Sequence, residues 1–303
     1  MPVSPAGLHT AATDHLDSPD APWAVQPTDA LDSTMGLGDQ AHGLRQLFAG
    51  HMLRFVPVAS NPHMAFGGVV LERLCAAWAQ RGLKTLVVDA GEQASAPCEL
   101  AEFDLREGIE QLSGHVRFMA ARGLPRRHVD LHGSSASFLD ALAQAAPDVD
   151  VVLMHASASD IGRLFGRAVR REGAQRLSPL VLVDPQASSI THAYGCIKLL
   201  AQRFGLPAHD LVACGKAGSP VLAQIAQRLA TCADSFLGAA QRGWVELDPA
   251  QLATQPPTAA FAQLAAQLLD VALPLAAAAP DSTLGSLPRA ASALPSRPGP
   301  VLN

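Results

Sequence analysis

The chain lacks paired cysteines, blocks of like charge and long uninterrupted apolar runs. Its five cysteines lie far apart without any CxxC spacing, which predicts reduced thiols in the core instead of a disulfide framework or zinc site. With 22 Lys and Arg against 27 Asp and Glu, the formal charge is -5, so we expect no nucleic-acid partner. Neither a signal peptide nor a membrane span is predicted, because no basic start precedes an apolar stretch and Pro274 interrupts the last apolar run. We expect a cytoplasmic protein.

Changes in composition divide the 303 residues into four parts. Residues 1–36 contain no Lys or Arg and are rich in Pro, Ala, Asp and Ser, which predicts a disordered tail. Residues 37–50 are predicted to form an amphipathic helical segment, and residues 51–255 are predicted to form the folded α/β domain. Residues 256–303 are rich in Ala and Pro, which predicts a C-terminal tail with one short helix.

Within the predicted domain, apolar runs alternate with helical patterns. Buried strands are predicted at residues 53–59, 85–89, 151–154, 180–183 and 211–213. This alternation predicts an α/β fold, with a mostly parallel twisted sheet, helices on both faces and ligand sites at the carboxyl ends of the strands. We also expect the strand at 85–89 to pair with the strand at 53–59 through a crossover helix.

Two helices can be placed from their apolar stripes. The first contains Leu71, Leu74 and Trp78 at helical spacing, with Arg73 on the outward face. The second runs from about Ile190 to Phe204, with Ser188 or Ser189 as its cap and Gly205 at its end.

The loop SNPHMAFGG after the first strand has no lysine. Strand, loop, helix and a second strand ending in VVDAG resemble the MinD/ParA class of P-loop ATPases, whose loop reads roughly S-G-K-G-G-x-G-K-T. In such a loop, backbone N–H groups and lysine hold phosphate while a hydroxyl holds magnesium. Aligned from Ser60, the two lysines of the class fall on Pro62 and Gly67, and its threonine falls on Gly68. The resemblance therefore implies a MinD-like P-loop NTPase fold with degenerate nucleotide motifs.

The position that binds magnesium in the resembling class also carries a different residue. His155 stands where the class has the Walker B aspartate of the magnesium shell, although Asp89 keeps its place at the end of the next strand. We therefore expect no bound cofactor, no metal and no enzymatic activity, and a vestigial nucleotide site formed by Ser60, Gly67, Gly68, Asp89 and His155.

Two further stretches resemble one branch of the class. Residues 184–205 resemble the segment T-P-E-P-T-x-I-T-D-A-Y-x-x-I-K of the flagellar-number regulators FlhG and FleN, but Gln186 and His192 depart from it. The shared residues are Pro185, Ile190, Thr191, Ala193, Tyr194, Ile197 and Lys198. Ahead of the domain, DQAHGLR matches the D-Q-A-x-x-L-R motif of the same branch, although its composition would equally suit a helix docked on its own domain.

The resemblance implies a regulator of flagellar biosynthesis and number whose N-terminal helix stimulates an FlhF-like SRP-type GTPase. It assigns the contact with that partner to Asp39, Gln40, Ala41, Leu44 and Arg45. It also implies flagellar switch or regulatory proteins as further partners, and it allows a homodimer. The C-terminal helix has an apolar stripe but no nearby Lys or Arg, so we expect membrane association to be weak at most.

Two other interpretations stay open. One is an active MinD-like ATPase with a remodelled ATP and magnesium site, which would need a distant basic side chain such as Lys84 or Lys216. The other is a non-catalytic scaffold for flagellar assembly. The sequence HVDLH, with His128 and His132, alternates like a strand and is expected not to bind metal, and HASAS is expected to be a loop at a strand end.

Overall fold

The computed structural model describes residues 52–172, 177–251 and 255–276, and the expectations for residues 1–51 and 277–303 lie outside them. The strands are β1 (Met52–Ala59), β2 (Thr85–Ala90), β3 (Ile109–Gln111), β4 (Val116–Ala120), β5 (Val151–Ala156), β6 (Leu180–Val183), β7 (Ala208–Cys214), β8 (Ala240–Leu247) and β9 (Leu273–Ala276). The helices are α1 (Gly67–Ala79), α2 (Leu124–Arg127), α3 (Ala136–Ala145), α4 (Ala158–Glu172), α5 (Ala187–Phe204), α6 (Pro220–Leu237) and α7 (Ala259–Asp270). Two 3-10 turns, Glu99–Glu102 and Leu105–Gly108, precede β3.

The strands form one sheet in the order β3-β4-β2-β5-β1-β6-β7-β8, with β9 paired to β1. Every pair is parallel except β3–β4 at the edge and β1–β9. The expected α/β fold with a mostly parallel sheet is therefore confirmed. The expected pairing of β2 with β1 is wrong, because β5 lies between them and is parallel to both. β5 takes this central place because its residues from Val151 to Met154 are fully buried on both faces.

Successive residues of the central strands face two separate apolar layers. Leu53 and Phe55 of β1 pack with α3, α4, α5 and α6, whereas Val56 and Val58 pack with α1 and α7. This alternation follows from the two-residue period of a strand, and it explains why the strands read as continuous apolar runs. Helices therefore cover both faces of the sheet.

α7 and β9 belong to this domain, although the sequence pattern places them in a C-terminal tail. The expected short helix is present, and its apolar stripe faces the core through Phe261, Leu264, Leu268 and Leu269. The indole N–H of Trp78 in α1 donates to the carbonyl of Ala265 at 2.9 Å. The stripe is therefore occupied by protein contacts.

Arg73 was expected on the outward face of α1, and this expectation is wrong. Its side chain is buried, and its guanidinium donates to the carbonyls of Gln255 at 2.6 Å and Gln251 at 3.1 Å. The two carbonyls offset the cost of removing the charge from water, and they fix the segment before α7 against α1.

Several local expectations are corrected by the structure. HVDLH is a loop after α2 and not a strand, and HASAS enters α4 at Ala158, with Ser157 accepting from the N–H of Asp160 at its start. The cap of α5 is Gln186, whereas Ser189 lies inside the helix and is fully buried. Gly205 does end α5, with the positive φ of 71° that glycine adopts readily.

The cysteines divide into two groups. Cys75, Cys196 and Cys214 are buried, and burial raises the pKa of each of these thiols to about 12. Cys98 and Cys232 are exposed, so the expectation that all five fill the core is wrong for these two. Among the described residues, no helix is long and apolar enough to cross a membrane.

Candidate functional site

A cavity of about 170 Å³ opens where β1, β2 and β5 end. We call it the strand-end cavity, and it brings together all five residues predicted for the vestigial site: Ser60, Gly67, Gly68, Asp89 and His155. Its other lining residues include Asn61, Pro62, Gly91, Glu92 and Gln93. Two of the lining side chains are acidic, and no Lys or Arg of the described residues lines it.

Asp89 and His155 form a hydrogen-bonded pair at the floor of the cavity. The two residues face each other in the register of β2 and β5, and His155 Nδ1 lies 2.8 Å from Asp89 Oδ1. Burial tends to raise the pKa of Asp89, but the hydrogen bond and charge of His155, with the N–H of Gly91, outweigh burial and lower it. Asp89 is therefore a carboxylate, and its Oδ1 atom already contacts His155 Nδ1 and the N–H of Gly91.

Gly91 allows this pair to sit against the turn after β2. Its N–H donates to Asp89 Oδ1 at 3.1 Å. A Cβ atom at this position would lie 3.1 Å from both Asp89 Oδ1 and His155 Cε1, which is closer than ordinary contact distance. A side chain here would therefore push the carboxylate and the imidazole apart.

The loop after β1 is fastened by the side chain of Asn61. The Asn61 amide nitrogen donates to the carbonyl of Leu182 at 2.9 Å and contacts both the carbonyl and the hydroxyl of Ser189, at 3.1 and 3.0 Å. The hydroxyl of Ser189 also accepts from the N–H of Asp184 at 3.0 Å. The loop is thus tied to the end of β6 and the first turn of α5.

The same loop uses its own backbone donors. The N–H of Ser60 donates to Ala156 at 2.8 Å, that of His63 to the Asn61 side chain at 3.2 Å, and that of Met64 to the Asn61 carbonyl at 3.1 Å. Pro62 has no N–H to offer. Because these donors are engaged or missing, this part of the loop cannot form the cradle of free amides that phosphate requires.

His192 of α5 contacts the loop that follows β1. His192, where the resembling family has aspartate, lies with Nε2 at 3.1 Å from the carbonyl of Ser60. Its ring also packs edge-on against that of His63, with the ring centroids 5.5 Å apart. His192 of α5 therefore contacts the loop after β1 both through a ring nitrogen and through the ring of His63.

ATP with magnesium does not fit the residues that line this cavity. No cationic side chain among them offsets phosphate charge, and Asp89 and Glu92 would repel it. Magnesium prefers oxygen ligands, but His155 presents an imidazole nitrogen that is bonded to Asp89. The residues present thus disagree with the cofactor that the fold resemblance would imply.

The basic residues that could rebuild an ATP site lie elsewhere. Lys84 precedes β2 and therefore lies at the opposite, amino end of the strands. Lys216 follows β7, which is separated from β1 by β6, and it is near enough to Asp248 for the two charges to interact. Neither lysine lines the strand-end cavity.

The Asp89–His155 pair resembles two members of a catalytic triad, without the nucleophile. In the described part of the chain, His155 makes no hydrogen bond to a serine or cysteine that it could activate as a nucleophile. Likewise, no group of three or more His, Cys, Asp or Glu within residues 52–172, 177–251 and 255–276 could hold a metal ion. What the geometry shows is a hydrogen-bonded pair that joins the ends of β2 and β5.

Sequence reasoning missed Asn61, Ser189 and Gly91. Asn61 and Ser189 are 128 positions apart, so no local spacing links them. The one available signal was the position of Asn61 beside Ser60, in the loop after a predicted strand. Gly91 could have been found from VVDAG, where glycine follows the strand that carries Asp89.

No protein-family model and no curated protein sequence matches this chain. Several solved structures resemble it at low identity. The MinD cell division protein of Aquifex aeolicus is 13% identical, covers 72% of this chain and 97% of its own, and has a TM-score of 0.45. A plasmid partition protein of Borrelia burgdorferi is 9% identical, with coverage of 72% and 96% and a TM-score of 0.44. Cobyrinic acid a,c-diamide synthase of Mycobacterium smegmatis is 15% identical, with coverage of 72% and 94% and a TM-score of 0.43.

Proposed function

We propose that this chain is a MinD-like regulator of flagellar biosynthesis that has no ATPase activity and acts by stimulating an FlhF-like SRP-type GTPase. The strand-end cavity is the observation that carries the first half of the proposal. Its loop is closed by Asn61, its floor is an Asp89–His155 pair, and no described Lys or Arg lines it. A domain with these features suits a partner-binding role better than nucleotide hydrolysis.

The second half of the proposal rests on the sequence of residues 39–45, which lie outside the described residues. DQAHGLR matches the activator motif of the resembling branch, and the segment at 184–205 follows in the expected order. Gln40 is chemically suited to orient a water for attack on a γ-phosphate, and Arg45 is suited to contact phosphate or acidic groups. Ala41 and Leu44 would supply apolar contact area on the same side of a helix.

The segment at 184–205, which resembles FlhG and FleN, has both buried and exposed residues among those it shares with that branch. Ala193 and Ile197 pack in the core, whereas Pro185, Thr191 and Lys198 are exposed. The buried matches are consistent with a shared fold. The exposed matches offer a surface to the flagellar switch or regulatory proteins, or to a second copy of the chain, that the resemblance implies.

The first test concerns the strand-end cavity. We expect purified protein to show no magnesium-dependent ATP binding by calorimetry and no phosphate release from ATP. The physical reason is that each missing charge-assisted phosphate contact removes about 1.5 to 3 kcal/mol of binding free energy. A micromolar dissociation constant that disappears when EDTA removes magnesium would contradict this half of the proposal.

The second test concerns the N-terminal motif. A peptide of residues 35–50 should raise GTP hydrolysis by the cognate SRP-type GTPase about tenfold or more, because an oriented water lowers the barrier to attack. Gln40→Ala should remove most of this stimulation with little loss of binding, whereas Leu44→Ala should mainly weaken binding. Gln46→Ala, just outside the motif, is the matched control and should change neither. Saturating peptide without any stimulation would favour the scaffold interpretation instead.

A further inference from the structure

A second cavity, of about 530 Å³, lies between α2, the loop after it, α4 and α5. Four arginines line it: Arg126 from α2, Arg163 and Arg167 from α4, and Arg203 from α5. We call this the arginine pocket. It shares no lining residue with the strand-end cavity.

A buried carboxylate holds two of these arginines in place. Asp160 is 4% exposed, and its Oδ1 accepts from Arg163 Nη1 at 3.1 Å. Arg126 donates to both oxygens of the same carboxylate, each at 3.4 Å. Ser157 completes the contacts of Asp160 with a hydroxyl donated at 2.9 Å. A guanidinium has five N–H donors, so both arginines keep donors that can face a ligand.

The other two arginines are oriented by different contacts. Arg167 Nη1 donates to Asp130 Oδ2 at 2.9 Å, and Asp130 Oδ1 accepts from the N–H groups of His132 and Ser134, both at 2.9 Å. Arg203 lies over the ring of Phe204, with Cζ 5.7 Å from the ring centroid. Three of the four arginines therefore pair with carboxylates of the protein, and the fourth contacts an aromatic ring.

The charge of the pocket remains positive after these pairings. Four guanidinium groups face the pocket, and two carboxylates, those of Asp160 and Asp130, pair with three of them. A phosphate group carries up to two negative charges and several acceptor oxygens, and it accepts the parallel N–H pairs of guanidinium groups. Because three of the arginines are already paired with carboxylates, ordering them on a ligand would cost less side-chain entropy than ordering unpaired arginines.

We propose that the arginine pocket binds a small soluble organic phosphate. Its volume falls within the range of small-molecule sites, about 300 to 1,000 Å³. Val129 and Phe204 also line it and offer apolar contact to the part of the ligand that carries the phosphate. A nucleic acid fits less well, because the chain carries a formal charge of -5 and half of the charge at the pocket is neutralised internally.

Calorimetry on the full-length protein in EDTA tests the proposal, with pyrophosphate and AMP as probes and inorganic phosphate as the reference ligand. We expect both probes to bind, and AMP to bind more tightly than inorganic phosphate because of its apolar part. Arg167→Gln and Arg203→Gln should each weaken binding about tenfold, which is the loss expected for one charge-assisted contact. Arg228→Gln, at an exposed position on α6, is the matched control and should change affinity less than about twofold.

Three outcomes would overturn the proposal. The first is that neither probe gives a heat of binding at about 10 mM, because a specific site of this kind should have a lower dissociation constant than that. The second is equal weakening by Arg228→Gln, which would indicate diffuse charge attraction. The third is binding only to phosphatidylglycerol vesicles or to a Glu-rich peptide, since either would assign the arginines to a macromolecular partner. Circular dichroism establishes that each variant is folded, and Arg203→Gln leaves the buried Asp160 contacts intact. The titrations contain EDTA and no GTPase, so the absence of probe binding would contradict the arginine-pocket proposal and would not test the proposed function.

Discussion

The strand-end cavity and the arginine pocket carry opposite charges. The first lies at the carboxyl ends of parallel strands, where α/β domains usually place their ligands, yet its charged lining residues are Asp89 and Glu92. The second lies outside the sheet, beside α4 and α5, and is lined by four arginines. In this chain, the strand-end cavity, where an α/β fold usually binds its ligand, and the cluster of arginine side chains are therefore at separate places.

The two cavities also use their carboxylates in different ways. Asp89 pairs with His155, and together they fill the floor of the strand-end cavity. Asp160 instead orients Arg126 and Arg163 and leaves part of each guanidinium free. The difference lies in the partners of the two carboxylates. An imidazole has at most two N–H donors, whereas a guanidinium has five, so the arginines paired with Asp160 keep donors for a ligand.

The largest expected effect is at Gly162, which lets Phe204 pack against α4 beside the arginine pocket. A Cβ atom at this position would overlap the Phe204 ring. We expect Gly162→Ala to lower the free energy of unfolding by about 2 to 3 kcal/mol, since a packed helix interface resists an added methyl group. Urea denaturation measures the change.

Gly195 in α5 is the matched control for this substitution. A Cβ atom there would meet nothing within 4 Å, so Gly195→Ala should raise stability by up to about 1 kcal/mol through helix propensity. If Gly162→Ala were as harmless as Gly195→Ala, α4 and α5 would not be in the close contact that shapes the arginine pocket.

The central part of the fold could be predicted from the sequence, and its edges could not. β1, β2, β5, β6 and β7 read as apolar runs because both faces of these strands are buried. β8 alternates with exposed positions, and β4 is only partly buried, so neither stands out as an apolar run. The order of the strands depends on contacts far apart in sequence, and the expected β1–β2 pairing failed for this reason.

The candidate sites differ in the same respect. The residues of the strand-end cavity could be found because each follows a recognisable strand and because the loop resembles a known motif. The arginine pocket draws on α2, α4 and α5, and only the spacing of Arg163 and Arg167, four residues apart on one helix, was visible in advance. Residues that meet only through tertiary packing leave no local pattern.

A smaller effect is expected from breaking the floor of the strand-end cavity. His155→Ala should lower the free energy of unfolding by about 1 to 2 kcal/mol, because the Asp89 side chain, 22% exposed, would lose a hydrogen-bond partner. A double-mutant cycle with Asp89→Asn isolates the pairwise energy. The exposed pair Arg117–Asp148 is the matched control, with an expected coupling of about 0.5 kcal/mol.

The coupling between Asp89 and His155 should also depend on pH. The pKa of Asp89 in the folded protein lies below its ordinary value of 3.8. A depressed carboxyl pKa stabilises the fold above the ordinary value, and this contribution is lost as the pH falls through the folded-state value. Repeating the cycle from pH 6 downwards, in steps of about one unit, should therefore show the coupling fade only below about pH 4. A coupling that is absent already at pH 6 would show that the pair does not stabilise the fold.

The smallest expected effect is from restoring the motif itself. Gly67→Lys with Gly68→Thr returns the second lysine and the threonine of the resembling class, and a Cβ atom at either glycine meets nothing within 4 Å, so the variant should fold. We expect no ATP hydrolysis, since Pro62 still lacks an N–H and His155 still offers a nitrogen bonded to Asp89 where magnesium would need oxygen ligands. The new lysine would also face Asp89 and Glu92, which compete with phosphate for its charge.

Phosphate release from ATP is the measurement, because ATP bound in the arginine pocket would not be hydrolysed. Gly67→Gln with Gly68→Thr is the uncharged control, and turnover in the lysine variant alone would show that the closed loop still opens to nucleotide.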